Sequence, residues 1–448
     1  MALWERIIQN LPEVRGPQQR RLSFKEKMKW TLITLILFLI LSLIPLFGLG
    51  ANELQQFEFL SIILGASFGS IMSLGIGPLV TASIVLQLLN GAQIMKFNLR
   101  SPEGRSRFQA LQKVLGLFFV IFEAAIYVFM GGLAPSQEFA GTPLFFQLEL
   151  LLIFQLMLGG ILVMFMDEVI SKWGFGSGLS LFIVAGVAQQ IFVTAFNPLP
   201  SPTNPDIAAG AIPALIQSLT LGDPQTAGLQ LAKIVSTIAV FLIVVYTQSM
   251  KVEIPLSFGR VRGHGIRWPL KFFYTSNIPV ILVAALLANI QLWTQLVGWG
   301  TPAFVNPQDV VSVLLTTGVS GLVAALPSIL LYMFIMIVGS IIFAIFWMQT
   351  ANMDARSQAD NIMASGLQIP GFRRDPRVLE SILARYIWPL TVLGGASVGL
   401  VAALADLTGA LSRGTGILLA VMIVYNMYEE IAKQHMMDMH PMMRKFVE

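Results

Sequence analysis

Long apolar segments alternate with shorter polar stretches along this chain. Ten of them are candidates to cross a lipid bilayer, although several are shorter than the roughly 20 residues that a perpendicular helix needs. They are Trp30 to Leu49, Gly75 to Leu89, Val114 to Gly131, Leu144 to Met166, Leu179 to Phe196, Ile234 to Met250, Ile278 to Trp293, Leu326 to Trp347, Ile387 to Leu404 and Ile417 to Tyr428. The pattern predicts an all-α polytopic membrane protein with ten transmembrane helices.

The basic residues are distributed unevenly between the gaps that separate these segments. Of the 28 Lys and Arg residues, 26 fall in alternate gaps, and only Lys233 and Arg413 fall in the others. Cytoplasmic loops are enriched in Lys and Arg, so the basic gaps are assigned to the inside. This topology predicts a cytoplasmic segment at residues 1–29, a cytoplasmic tail at residues 433–448 and both termini inside.

Composition narrows the class of protein further. Hydrophobic residues make up 55% of the chain and charged residues 12%, against roughly 45–50% and about 25% in soluble domains. The net charge of +4 lies in loops facing one compartment, so lipid headgroups or a polyanion are the expected partners, and nucleic acid, alone or within a larger particle, stays open. The chain has no cysteine, which excludes disulfides and thiolate chemistry. Its N-terminus lacks the pattern of a cleaved signal peptide.

Ten spans divide evenly into two sets of five. We place the division in the external linker 197–232, between a first half at residues 30–196 and a second half at residues 233–432. A five-span unit that starts inside ends outside, so the second half must run in the opposite sense. If the halves are homologous they form an inverted repeat. The sequence shows no repeat at the level of residues.

Two of the predicted cytoplasmic loops are long for connectors, at residues 251–271 and 349–385. Long loops often carry function. Arginines stand beside Gly and Pro in both, Arg260 and Arg262 in the first and Arg373 and Arg374 in the second. They are either ordinary topogenic charge or guanidinium forks presented to phosphate.

A short apolar segment follows the first span and cannot cross the membrane. It comprises Phe57, Glu58, Phe59, Leu60, Ser61, Ile62, Ile63, Leu64 and Gly65. As a helix it would cover only about 15 Å, about half the hydrocarbon thickness. Its backbone must therefore be buried in protein or face a water-filled cavity. A static re-entrant element and a movable stopper both fit these facts.

Aliphatic pairs at four-residue spacing follow two glycine-rich breaks. They are Ile76 and Val80 after GIG, and Leu179 and Ile183 after GSG. Residues four apart lie on one face of a helix, about one turn from each other. Each pair fits a short collar, although ordinary packing or lipid contact explains the same spacing.

At this point the residues resemble a known family. The runs GIGPLVTASIVLQLL, FGSGLSLFIVAGV, YTSNIPVILVAALLANIQLW and GTGILLAV, with the loop motifs EIPLSFGR and GFR, resemble the SecY family, the channel subunits of the Sec protein translocon. The likeness is strongest to archaeal members and covers nearly the whole chain. It implies a ten-helix fold of two inverted halves around a central pore, closed from outside by the segment at residues 57–65.

By the same resemblance, six aliphatic residues form the pore ring. They are Ile76, Val80, Leu179, Ile183, Ile281 and Leu419. A lateral gate between spans two and three on one side and spans seven and eight on the other carries three polar residues, Thr81, Glu123 and Asn289. Glu123 is the one ionisable residue deep inside a predicted span. Many relatives have an amide there, so both a packing role and a functional role stay open.

The resemblance implies a protein-conducting channel in the cell membrane. It passes unfolded secretory polypeptides and releases apolar segments sideways into lipid. Implied partners are a SecE-like small subunit, a Sec-beta-like small subunit, the ribosome through its RNA, signal peptides, nascent polypeptides and the bilayer. Arg260 and Arg373 match the family's ribosome-facing arginines, and their neighbours Arg262 and Arg374 are included in this predicted surface.

The same residues bear on two other function classes. A secondary transporter shares broken helices and inverted repeats with this pattern, but coupling needs ion or proton ligands at the midplane, and Glu123 alone is thin support. An enzyme is not expected, because no span holds a catalytic motif and no phosphate-binding loop occurs. We therefore predict no catalytic residue, no metal, no cofactor and a driving force supplied by a bound partner.

Overall fold

The computed structural model describes residues 12–18, 22–52, 66–91, 94–95, 97, 102–201, 207–258, 265–276, 278–296, 309–364, 367–368, 375–412 and 414–439. Within these residues the chain forms twelve α-helices and five short strands. The helices of the N-terminal part are α1 (Phe24–Ser42), α2 (Gly77–Gly91), α3 (Pro102–Phe129), α4 (Pro143–Trp173) and α5 (Gly178–Phe196). The C-terminal part has α6 (Ala211–Leu221), α7 (Pro224–Ser249), α8 (Ile278–Leu296), α9 (Val310–Thr350), α10 (Ala355–Ala364), α11 (Pro376–Leu407) and α12 (Gly414–Met439).

Each of the ten predicted spans overlaps one of these helices, although α1 ends seven residues before the predicted end at Leu49; α6 and α10 are the two additional ones. Among the described residues, seven helices are long and apolar enough to cross a membrane by length and composition alone: α3, α4, α5, α7, α9, α11 and α12. The other three predicted spans coincide with α1, whose first turns are charged, with α2, which has 15 residues, and with α8. The all-α prediction is confirmed.

Helix α9 is longer than its predicted span because the structure joins two helical pieces. Its 41 residues contain Gly318 in a non-helical conformation, with φ 72° and ψ −164°. Only glycine adopts this conformation without strain. The predicted span, Leu326 to Trp347, lies wholly after this break, and Pro327 falls at its start. The apolar pattern identified most of the spanning part and missed both the eight residues before Gly318 and residues 319–325 after it.

The chain divides into two compact units, one of residues 1–188 with 423–448 and one of residues 189–422. In the first unit, β1 (Leu49–Asn52) pairs antiparallel with β2 (Leu133–Pro135). Many apolar side chains of the helices remain exposed, for example Ile36, Phe118 and Phe154, each at 55%. Exposed apolar helix faces of this kind match a lipid environment.

An N-terminal clasp, formed by residues 12–17, lies against Lys113 of α3 and the C-terminal turns of α4 in the first unit. The Val14 amide donates to Glu168 Oε2 at 2.8 Å, and Lys172 Nζ donates to Glu13 Oε1 at 2.5 Å. Lys113 bridges the segment to α4 by binding both Glu168 and the Pro12 carbonyl oxygen. The hydrogen bond from Lys172, and the charges of Lys172 and Lys113, lower the pKa of Glu13.

In the second unit a small sheet connects the two long loops. Strands β3 (Lys251–Phe258) and β4 (Gly265–Lys271) form an antiparallel hairpin, and β5 (Leu367–Gln368) pairs with the outer end of β3. The hairpin's apolar side chains, Ile254, Leu256 and Leu270, pack with residues of α10 and α11 in one buried cluster. The two loops, which the sequence pattern treats as separate projections, therefore share one folded base.

Candidate channel site

The first pair of predicted ring residues lies where a tight turn becomes α2. Gly75 has φ 52°, in the left-handed region. The carbonyl of Ile76 then accepts the amide of Val80 at 3.0 Å, which is the first bond of the helix. Ile76 is fully buried and Val80 is half-buried. The two residues therefore stand one turn apart at the very start of the helix.

The second pair lies at the start of α5, directly after the GSG motif. Leu179 is half-buried and Ile183 is buried. The amide of Leu179 donates to Asp167 Oδ1 at 3.0 Å, so a carboxylate from the end of α4 holds this helix start. A Cβ at Gly178 would lie 2.8 Å from the same oxygen. Glycine is therefore needed here for the close approach.

The remaining ring residues belong to the second unit. Ile281 is half-buried on the first turn of α8, and Leu419 is fully buried on the second turn of α12. The start of α12 is held like that of α5, because the Gly414 amide donates to Asp406 Oδ1 at 2.7 Å. The other oxygen of Asp406 accepts the Tyr332 hydroxyl at 2.7 Å.

The structure brings together two of the three predicted gate residues. Thr81 Oγ1 on α2 lies 3.3 Å from Glu123 Oε1 on α3, and the same hydroxyl donates to the Gly77 carbonyl at 2.9 Å. Burying a carboxylate among apolar helices is unfavourable unless it finds such partners. The third residue, Asn289, lies in α8 of the second unit.

Several predicted site residues lie outside the described residues. These are the nine of the stopper segment, Phe57 to Gly65, and the loop arginines Arg260, Arg262, Arg373 and Arg374. The strands that flank the arginines are described. Ser257 in β3 pairs with Gln368 in β5, so the two arginine-bearing stretches leave the sheet from adjacent strands.

Sequence reasoning missed Asp167, Asp406 and Tyr332. Both carboxylates stand near the end of a long apolar helix and precede a Gly-x-Gly motif that opens the next helix. That order was readable in the sequence. The sequence did not show which helix each carboxylate caps, nor that Tyr332 binds Asp406.

The helices that coincide with the predicted spans, and a polar contact between α2 and α3 among them, define a polytopic membrane protein. Comparison with known proteins then specifies the family. The family description "SecY" matches residues 70–428, and "Plug domain of Sec61p" matches residues 36–69. The chain belongs to the SecY family.

Curated relatives agree over the full length. The protein translocase subunit SecY of Methanothermobacter thermautotrophicus is 46% identical, with 99% of this chain and 98% of the relative covered. SecY of Pyrococcus furiosus is 42% identical, with 97% and 96% covered. The predicted archaeal-type resemblance is confirmed.

Solved structures show the same fold. A protein-conducting channel is 38% identical, with TM-score 0.77 and with 97% of this chain and 98% of the other covered. Sec61 in the canine ribosome–channel complex from the endoplasmic reticulum is also 38% identical, with TM-score 0.74 and the same coverage. The protein is a protein-conducting channel subunit and not an enzyme, and these matches give no support to the secondary transporter.

Proposed function

We propose that this chain is the pore subunit of a Sec translocon in the cell membrane, with both termini in the cytoplasm. Residues 30–196 and 233–432 are its two five-helix halves, joined by the external linker 197–232. Residues 1–29 and 433–448 are cytoplasmic. The chain passes unfolded secretory polypeptides and releases their apolar segments into lipid.

One observation carries the pore assignment: all six ring residues are aliphatic and sit within the first two turns of helices α2, α5, α8 and α12, or in the turn just before α2. An apolar collar deforms around a passing chain of any sequence. It opposes ions, because an ion stripped of water pays several kcal/mol or more in lost hydration. The ring therefore conducts polypeptides and resists small ions.

The lateral gate in this proposal lies between spans two and three on one side and seven and eight on the other. The contact between Thr81 and Glu123 supports it, since a polar pair on adjacent apolar helices is costly to separate in lipid. A signal peptide that inserts between the helices must replace this contact. Asn289 is the polar gate residue proposed for the opposite side.

The segment from Phe57 to Gly65 is the proposed plug. The match of residues 36–69 to a plug domain supports this assignment, although the match extends into α1. Since the chain has no natural cysteine, Ser61→Cys gives a single thiol. An outside thiol reagent should label it mainly when a substrate occupies the channel. Equal labelling of idle and engaged channels would identify a static element instead.

The ribosome is the proposed cytoplasmic partner, through Arg260, Arg262, Arg373 and Arg374. The shared base of the two loops supports this, because β5 pairs with β3 and so joins the stretches that carry the arginines. Guanidinium groups bind phosphate bidentately through charge-assisted hydrogen bonds. A SecE-like and a Sec-beta-like small subunit complete the proposed complex, and signal peptides and nascent polypeptides are its substrates.

The pore assignment is tested by polar substitution of the ring. Replacing Ile183 and Ile281 with Ser should hydrate the collar and raise small-ion conductance of the resting channel in planar bilayers. The matched control is Ile238→Ser on α7, an isoleucine that is 54% exposed on a helix without ring residues. Unchanged conductance in the double variant, or an equal rise in the control, would reject the ring.

The ribosome assignment is tested by charge reversal. The double variant Arg260→Glu with Arg373→Glu should abolish co-sedimentation with ribosomes. Each single change should reduce the slope of log affinity against log salt concentration by roughly one, the contribution of one phosphate contact. Arg267→Glu is the matched control, because Arg267 lies in the same hairpin with its side chain 80% exposed and paired to Glu253. Wild-type binding by the double variant would leave these arginines as topogenic charge.

A further inference from the structure

The two units share one backbone arrangement at several positions, beginning at the turns before α2 and α8. Pro78 and Pro279 are each the second residue of their helix. Three residues before each proline stands a residue in the left-handed region, Gly75 with φ 52° and Ser276 with φ 58°. The amide of each donates to the carbonyl three residues earlier at 3.0 Å. A serine at positive φ is uncommon, so its recurrence at the equivalent position identifies one shared turn.

The match extends to a pair of adjacent glycines in α4 and α11. A Cβ at Gly159 would lie 1.9 Å from the carbonyl oxygen of Ile71, and one at Gly394 would lie 2.6 Å from that of Phe272. Ile71 and Phe272 each stand seven residues before the proline of the turn. The first glycine of each pair therefore lets its helix lie directly on the equivalent turn.

The second glycine of each pair makes an equivalent contact with another helix. A Cβ at Gly160 would lie 2.8 Å from Val120 Cγ1 on α3, and one at Gly395 would lie 2.9 Å from Ala344 Cβ on α9. The order of helices around the pair is thus the same in both units. The turn before α2 corresponds to the turn before α8. Helices α2, α3 and α4 then correspond to α8, α9 and α11, in that order.

Carboxylates complete the repeat. Asp167 lies eight residues after its glycine pair begins and Asp406 twelve, a difference of four residues or about one helical turn. Each accepts a backbone amide from the start of the following helix, Leu179 at 3.0 Å and Gly414 at 2.7 Å. The first amides of a helix lack intrahelical acceptors, and a carboxylate there satisfies them and the helix dipole together.

We propose that Asp167 and Asp406 are equivalent positioning residues, one in each half, which hold the first turns of α5 and α12 and thereby fix the ring residues on those helices. This inference rests on the proposed function, because it takes Leu179, Ile183 and Leu419 as ring residues. Neither carboxylate is a binding group for substrate. Each acts through the helix start that it holds.

The test measures amide hydrogen exchange and resting conductance on the full chain in lipid. In the wild type, the amides of Leu179 and Gly414 should exchange more slowly than that of Ile212, since the N-cap of α6 is a glycine without a side-chain cap. In Asp167→Leu and Asp406→Leu, the equilibrium constant for opening of the corresponding amide hydrogen bond should rise about fivefold. This is the size expected for loss of one helix cap. Resting small-ion conductance should rise in both variants. Asp→Asn, which keeps one acceptor oxygen, should restore both readouts to within about twofold.

A matched control separates positioning from general loss of stability. Asp223 caps α7 through the amides of Gln225 and Thr226 at 3.1 and 3.4 Å, and α7 carries no ring residue. Asp223→Leu should loosen its own helix start and leave conductance unchanged. Equal leakage in this control, or wild-type conductance in both ring-helix variants, would overturn the inference.

If the Leu variants fail to fold, amide hydrogen exchange of the wild-type protein still tests the inference. Amides of Leu179 and Gly414 that are unprotected in the wild type would overturn it. Translocation of a secretory polypeptide into vesicles is measured on the same wild-type preparation. Absence of translocation would count against the proposed function while the exchange data still judge the two caps. Translocation with unprotected amides would reject the caps alone.

Discussion

The connections that precede α5 and α12 are fixed by different side chains, although the two helix starts are held in the same way. In both, an aspartate near the end of the preceding helix accepts an amide of the next helix. The connection before α5 is four residues long and is fixed by Phe175, whose amide donates to Thr31 Oγ1 at 3.1 Å and whose ring lies 5.3 Å from that of Phe24. The connection before α12 is held instead by polar side chains, including Gln190, which accepts the Ser412 hydroxyl at 2.8 Å.

This difference shows which features of a repeat persist in a membrane protein. Close approach between backbones admits only glycine, and an uncapped helix start needs an acceptor, so these positions correspond between the units. The surrounding side chains are free to vary as long as the space is filled. A repeat built in this way is visible in backbone contacts and nearly absent from the sequence.

The largest effect should come from the glycines that lie on the turns. Gly159→Ala should lower the free energy of unfolding by about 3 kcal/mol or more, because the new methyl would lie 1.9 Å from a carbonyl oxygen. Gly394→Ala should cost less, because the corresponding distance is 2.6 Å. Denaturant unfolding in detergent measures both.

Gly228→Ala is the matched control for this pair. Gly228 lies in α7, and its Cβ would have its nearest neighbour, Leu315 Cδ1, at 3.8 Å. Alanine should be tolerated or slightly stabilising there. If Gly159→Ala proved no more destabilising than Gly228→Ala, the close contact between α4 and the turn would be refuted.

A smaller effect should distinguish the two caps. Asp167 receives backbone amides, whereas Asp406 also receives the Tyr332 hydroxyl at 2.7 Å. Tyr332→Phe should cost about 2 kcal/mol, typical of a buried hydrogen bond to a charged group, and should raise exchange at Gly414 but not at Leu179. Tyr246→Phe, at a tyrosine that is 72% exposed, should change neither quantity. Equal effects at the two helix starts would contradict the independence of the caps.

The smallest effect concerns the N-terminal clasp of the first unit. The pKa of Glu13 is lowered, so its contact with Lys172 contributes fully above the usual carboxyl value of 4.5 and is lost as the pH falls through the lowered value. A spin label at Gln18→Cys should therefore become more mobile on acidification from pH 7 to about pH 3. The contact is exposed and should weaken with salt.

Glu13→Gln is the control for the clasp. In this background the label should already be mobile at pH 7, and the acid-induced change should disappear. A pH response as large as that of the wild type would assign the titration to another group.

The sequence alone supported much of the fold. The apolar pattern located all ten spanning helices, and the motifs identified the family that the comparisons then showed. Helix edges were less accurate, as at α9, because polar and glycine residues around Gly318 interrupt the apolar pattern although helix continues on both sides of the break. The small sheet that joins the two long loops was also missed, since the pairing of β3 with β5 depends on chain segments far apart in sequence.

What the sequence determined by itself is the location of the spans, because transfer of apolar side chains into lipid depends on local composition and little else. The cytoplasmic assignment of the termini rests on charge distribution alone and stays a prediction. Tertiary structure decided the rest. Thr81 meets Glu123 from 42 positions away and Tyr332 meets Asp406 from 74. Such contacts follow from how helices pack, and packing depends on all contacting faces together, which no local pattern encodes.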